Sequence, residues 1–151
     1  MKQNPSRNDK EELKELLRLY ENLKNGRSQS FLEEESFEKL IDYFDDQEDV
    51  PQALQAAELG IEIYPYSSTL LVKKADLLLA TRQYQAALDI LEQAELLDSN
   101  DINLYILRTD AYLALDQQEK AVELLEEALQ LFTGDERLEL LFELADVYDD
   151  Y

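Results

Sequence analysis

The sequence predicts an all-α protein built as a row of antiparallel helix pairs, on three observations. Helix breakers are scarce, with 3 glycines and 3 prolines among 151 residues, while Ala, Leu, Glu and Gln abound, the residues that lose least on entering a helix. Apolar residues recur at i, i+3/i+4 and i+7 within short segments, the period of a half-buried helix. Small residues return at a fixed interval: Ala53, Ala87 and Ala121 lie 34 residues apart, and so do Gly60, Ala94 and Ala128. A period of that length marks an array in which each unit covers the apolar face of the next.

Taken in order, residues 9–24 predict an amphipathic helix with Leu13, Leu16, Leu17, Tyr20 and Leu23 on one stripe, stopped by Asn25 and Gly26. Lys10, Lys14 and Arg18 run beside the leucines as a basic stripe, expected either to be solvated or to meet the acidic array. Residues 1–30 thus read as a capping helix and linker, and residues 31–151 as the array. The pattern Ser30 to Glu33 offers a capping box for the next helix.

Each unit then holds two helices. The first carries large apolar residues that repeat at 34, Phe37, Leu71 and Tyr105, then Phe44, Leu78 and Tyr112. The second carries the alanines, because helices packed antiparallel approach closely only where the crossing points lack bulk. The breaks fall between them. Pro51 fits the first turn of a helix, where its missing N–H costs nothing. Pro65 ends a helix and Ser67 or Ser68 caps the next; Asp98, Ser99 and Asn100 offer caps again, and Gly134 ends a helix. The units run over about 34–67, 68–101 and 102–137, with a partial unit at 138–151.

These residues resemble the tetratricopeptide repeat family. The first unit meets its pattern with Phe37, Leu40, Ile41, Phe44, Ala53, Ala57, Gly60 and Pro65, the second with Leu71, Ala75, Leu78, Tyr84, Ala87, Leu91 and Ala94, and the third with Tyr105, Tyr112, Ala121, Leu125 and Ala128. Leu141, Leu144, Ala145 and Tyr148 supply a fourth first helix, displaced by two residues. Lys74 and Arg108 stand where the family usually has leucine, and Ser99 and Thr133 replace its closing proline. The resemblance implies three full repeats and the first helix of a fourth, wound as a right-handed superhelical solenoid. It also implies a concave face, lined by first helices, that holds a peptide or helix of another protein.

Composition narrows the chemistry. With no Cys and no His, thiolate metal sites, disulfides and the usual neutral-pH proton shuttle are excluded, so the chain reads as a non-enzyme without cofactor or metal. "DSNDIN" echoes a calcium loop, yet Asn103 occupies the place of its glycine. The start of the chain lacks the apolar run of a signal peptide, and no stretch is long enough to span a membrane, so a cytoplasmic protein is expected. A net charge of −21 repels nucleic acid and anionic lipid. Seven of the fourteen basic residues lie in the first 27 positions with five acids, leaving that leader at +2 and the remainder at −23.

On the inner face that the resemblance implies, an acid follows each small first-helix position: Asp42, Asp76, Asp110 and Asp146. Val72, Leu79, Ile106, Leu113 and Phe142 flank them. Such a face suits a basic amphipathic or extended segment, whose apolar residues supply affinity and whose cations set orientation. The family's clamp for acidic chaperone tails uses Asn and Lys where this chain has Asp, Leu or Ala, which disfavours acidic ligands. The last segment, with Leu138, Leu140, Leu141, Phe142, Leu144, Val147 and Tyr148 around much of one helix, has no second helix to cover it. Either the chain belongs to a longer array, or this surface pairs in a homodimer.

Overall fold

The structure, a computed structural model, describes residues 6–26 and 31–150. Eight helices and no strand occur among them: α1 (Arg7–Lys24), α2 (Glu34–Asp46), α3 (Val50–Ile63), α4 (Ser68–Ala80), α5 (Tyr84–Leu97), α6 (Ile102–Ala114), α7 (Gln118–Leu131) and α8 (Gly134–Asp150). They fall into two compact units, Met1–Ala56 and Ala57–Tyr151, divided within α3. No helix among the described residues is long and apolar enough to cross a membrane.

In the first unit, α1 begins two residues before the predicted start, because Ser6 caps it: the Asp9 N–H donates to Ser6 Oγ and the Ser6 N–H to Asp9 Oδ2, each at 3.2 Å. Gly26, at φ 63°, follows the cap residue Asn25. Tyr20 anchors the far end of α1, fully buried against the Phe44 ring at a centroid distance of 6.0 Å. Its hydroxyl finds no hydrogen-bond partner, and burial, with a smaller contribution from Glu21, pushes its pKa up to about 12. Lys24 lies over the Tyr20 ring and donates to Gln52 Oε1. Phe37, Leu40, Ile41 and Phe44 form the buried stripe of α2. The capping box expected from Ser30 lies outside the described residues. Glu33 precedes α2 without a side-chain cap bond; at the start of α3, Asp49 accepts from the Gln52 N–H, with Pro51 in the first turn as expected.

In the second unit, α4 with α5 and α6 with α7 form helix hairpins, and the first helices α4, α6 and α8 also touch in succession. Ala87, Ala94, Ala121 and Ala128 are fully buried, as close packing of paired helices requires of small side chains at their interface. Ser67 caps α4 through the Leu70 N–H. The cap of α6 is Asp101, which accepts from the Asn103 N–H, rather than Asp98, Ser99 or Asn100; Asp98 instead closes a turn with the Asn100 N–H.

The turn inside each repeat is built without glycine. Glu48, Arg82 and Asp116, 34 residues apart, all adopt φ near +60°. The N–H after each one reaches back to the helix before it, Asp49 to Phe44 O, Gln83 to Leu78 O and Gln117 to Tyr112 O, at 2.8–2.9 Å. These bonds close the left-handed helix ending usually given to glycine.

Two expectations at the carboxyl end need correction. Gly134 does not terminate α7, which ends at Leu131 and is capped by Phe132; with φ 62° it opens α8. Nor do Leu141, Ala145 and Tyr148 form the buried stripe of α8. That stripe is Leu140 and Val147 with Leu144 half-buried, while Leu138, Leu141, Phe142 and Tyr148 are 42–65 % exposed. The buried pair thus lies 35 residues after Tyr105 and Tyr112. The phase of the helix buries Leu140 and Val147 rather than the larger Phe142 and Tyr148, and the insertion advances the register by one residue instead of two.

Candidate functional site

The successive contact of α4, α6 and α8 brings the acids of the second unit together. Asp76 and Asp110 are both exposed, and neighbouring packed side chains strip enough water from Asp110 to raise its carboxyl above the ordinary range, with the charge of Asp76 adding to the rise. Glu143 of α8 is half-buried and likewise raised, first by burial, then by Asp110, Asp146 and Glu139. Asp76, Asp110, Glu143 and Asp146 thus form a chain of like charges across three helices.

Glu143 is the member that the repeat alignment misses. The alignment moved α8 by two positions and so matched Asp146 with Asp110; with the one-residue register, Ala145 corresponds to Asp110. Asp146 is exposed and acts on Glu143. The buried pair Leu140 and Val147, seven residues apart like each earlier pair, was the available signal. Asp42 lies in the first unit, exposed on α2.

Beside the acids, Val72 and Leu79 on α4 and Ile106 and Leu113 on α6 are half-buried, whereas Phe142 is 65 % exposed. These apolar side chains are available for contact without being loose, because their helices are locked from the other side by Leu71, Leu78, Leu104 and Tyr105. The Tyr105 hydroxyl donates to Ser99 O at 3.0 Å, and its ring meets Phe132 edge-on. Burial, then Glu95, raises its pKa.

The residues that depart from the family pattern have structural partners. Arg108, with a side chain only 12 % exposed, pairs through Nη1 with Glu95 Oε2 at 2.7 Å, and Lys74 reaches Glu58 at 3.9 Å. Each buries an aliphatic stem where the family has leucine and carries its charge to an acid on the preceding helix. Both cations are therefore held away from the acidic chain of Asp76 and Asp110. Among the described residues no group of three or more His, Cys, Asp or Glu could hold a metal ion.

Neither a family model nor a curated protein sequence matches the chain. Solved structures do. The first tetratricopeptide domain of Spaghetti (RPAP3), bound to the HSP90 peptide SRMEEVD, is 20% identical over 78% of this chain and 94% of its own, with a TM-score of 0.69. The TPR2B domain of yeast Sti1, in complex with pHsp70, is 19% identical over 78% of this chain and 98% of its own, with a TM-score of 0.70. The second such domain of human RPAP3, with the HSP70 peptide SGPTIEEVD, is 21% identical over 74% and 92%, at 0.65. The protein is an α-helical repeat protein. Its fold is that of the tetratricopeptide repeat.

Proposed function

We propose that this chain is a non-enzymatic interaction module, with residues 31–151 as the repeat array, and that the face of α4, α6 and α8 binds a basic, partly apolar peptide or helix of a partner protein. The chain of like charges carries this reading. Carboxyls whose pKa is raised are held charged at a cost, and a lysine or arginine placed between them removes that cost on binding, so the face favours a cation more than isolated surface acids would. The half-buried Val72, Leu79, Ile106 and Leu113 and the exposed Phe142 supply the apolar area that gives affinity. Structures of the same fold hold short peptides ending in Glu-Glu-Val-Asp, which supports peptide binding as a use of the fold. The acidic character of this face favours a basic ligand over such acidic peptides.

The test is fluorescence anisotropy with a labelled synthetic helix of leucine and lysine, against a leucine–glutamate counterpart. The lysine probe should bind and the glutamate probe should not. Compared in a Glu12→Lys, Asp42→Lys background, which removes acids of the first unit, Asp76→Lys with Asp110→Lys should weaken binding by up to about thirtyfold, two reversed contacts at up to about 1 kcal/mol each. Unchanged affinity in a folded double variant would remove the assignment.

A second reading rests on α8, whose Leu138, Leu141, Phe142 and Tyr148 leave an apolar stripe exposed. Such a stripe supports self-association. Light scattering decides it: a mass that rises with concentration, and falls back when Leu141 and Phe142 are made polar, supports a homodimer, and a constant monomer mass refutes it.

A further inference from the structure

We infer that α1 is more than a cap: with α2 it forms a second docking groove, in the first unit, for a basic amphipathic helix of a partner protein. The argument starts from how α1 is held. Its carboxyl-terminal end is pinned by the fully buried Tyr20 against Phe44 and by Lys24 on Gln52. Between α1 and α2 a groove of about 530 Å³ opens, within the usual range of ligand pockets. Leu13, Leu16 and Leu19 of α1 and Tyr43 of α2 line it, and all four are half-buried. The leucine stripe of an amphipathic helix, normally spent on the core, is here only half covered.

Charge decides the occupant. Both walls are acidic: Asp9, Glu12 and Glu15 stand on one side, Asp42 and Asp46 on the other, and Lys39 is the single cation among the lining residues. Arg18 is held on Glu15, to which both Nε and Nη2 donate, so that pair cancels, and Lys10 and Lys14 are not among the lining residues; the walls still carry Asp9, Glu12, Asp42 and Asp46 against Lys39. An apolar floor between two acidic walls fits a helix with leucine-like residues on one side and Lys or Arg on both flanks. An acidic segment would be repelled from either wall. This groove lies in the first unit and does not depend on the face of α4, α6 and α8.

The experiment is an amide chemical-shift map of the full chain titrated with the leucine–lysine helix, recorded on the Asp76→Lys, Asp110→Lys variant so that the other face is disabled. Shifts at Leu13, Leu16, Leu19 and Tyr43, lost when Glu12→Lys and Asp42→Lys are added, are the expected result. Both added changes are at exposed positions, and an unchanged helical spectrum confirms that the fold survives. Shifts that avoid these four residues, or that survive the added charge reversal, overturn the proposal. Shifts that grow with protein concentration in the absence of the probe also overturn it, because they assign the groove to a second copy of the chain. Loss of binding to the face of α4, α6 and α8 alone leaves these four signals responding, so the two assignments fail separately.

Discussion

Replacing the left-handed turn residues with glycine should stabilise the protein, more at Glu48 and Arg82 than at Asp116. Glu48, Arg82 and Asp116 each sit at φ near +60°, where an L side chain crowds the backbone at a cost of about 1–2 kcal/mol. Glycine removes that crowding but gains about 0.4–1 kcal/mol of freedom in the unfolded chain. The net gain is therefore about 0.5–1 kcal/mol at Arg82 and Glu48, and less at Asp116, since aspartate tolerates this conformation. The hydrogen bonds that close these turns are backbone to backbone, and all three side chains are exposed, so nothing else is lost. The triple variant Glu48→Gly, Arg82→Gly, Asp116→Gly should gain about 2 kcal/mol if the sites add, which is roughly 4–8 °C in Tm for a chain of this length. Urea and thermal unfolding followed by circular dichroism read it directly. Gln47→Gly is the control, because Gln47 lies at φ −82°, where glycine costs about 0.5–1 kcal/mol. A loss at Arg82→Gly equal to that at Gln47→Gly would refute the reasoning.

Other consequences follow from the core and the charges. Ala87→Leu should cost about 1–3 kcal/mol by overpacking a fully buried site, whereas Ala86→Leu, at the adjacent exposed position, should stay within about 0.5 kcal/mol; equal effects in urea melts would deny that Ala87 sets the helix spacing. Glu95→Ala should cost about 2 kcal/mol, since it leaves Arg108 largely buried without its partner, less than for a fully buried pair because Glu95 is 38 % exposed. Arg108→Leu, which restores an apolar residue, should fall within about 1 kcal/mol of the parent, and the opposite ranking would show that the bridge itself stabilises the fold. Asp110→Asn should stabilise at neutral pH by about 0.3–0.5 kcal/mol, the size of one exposed like-charge contact. The sign follows from the raised pKa of Asp110: between the unfolded and folded values the native state holds more protons, so its contribution falls as pH rises through that window. The gain from asparagine should therefore shrink as pH approaches the ordinary carboxylate value of about 4. A gain that does not change with pH would contradict it.

The helix pairs were legible because the alanines and the large apolar residues repeat together at 34, and sterics demand both. Ser67 and Pro51 could be placed because caps and first-turn prolines have one local explanation each. The turn at Glu48, Arg82 and Asp116 was not legible, since nothing about Glu or Arg signals a positive φ; the backbone bonds that close the hairpin hold it. The register of α8 was misjudged because Leu144 fits both stripes, and Leu141 and Tyr148 complete one as well as Leu140 and Val147 complete the other; sequence alone does not say which meets α6 and α7. That choice hid Glu143. The acids Asp76 and Asp110 were legible as a repeat, but their mutual influence depends on α4 lying beside α6. The groove along α1 was hidden for a similar reason: a leucine stripe reads as core, and only the structure leaves it half open.

The claim that most needs testing is that the face of α4, α6 and α8 binds ligand, in a chain whose whole surface is acidic. An amide chemical-shift map of the unaltered protein with the leucine–lysine helix tests it most directly. The account predicts that shifts in the second unit concentrate at Val72, Asp76, Leu79, Ile106, Asp110, Leu113, Phe142 and Glu143. Shifts spread along the exposed acids of α5 and α7, such as Glu92 and Glu126, with none at these positions, would show that the probe follows net charge and would contradict it.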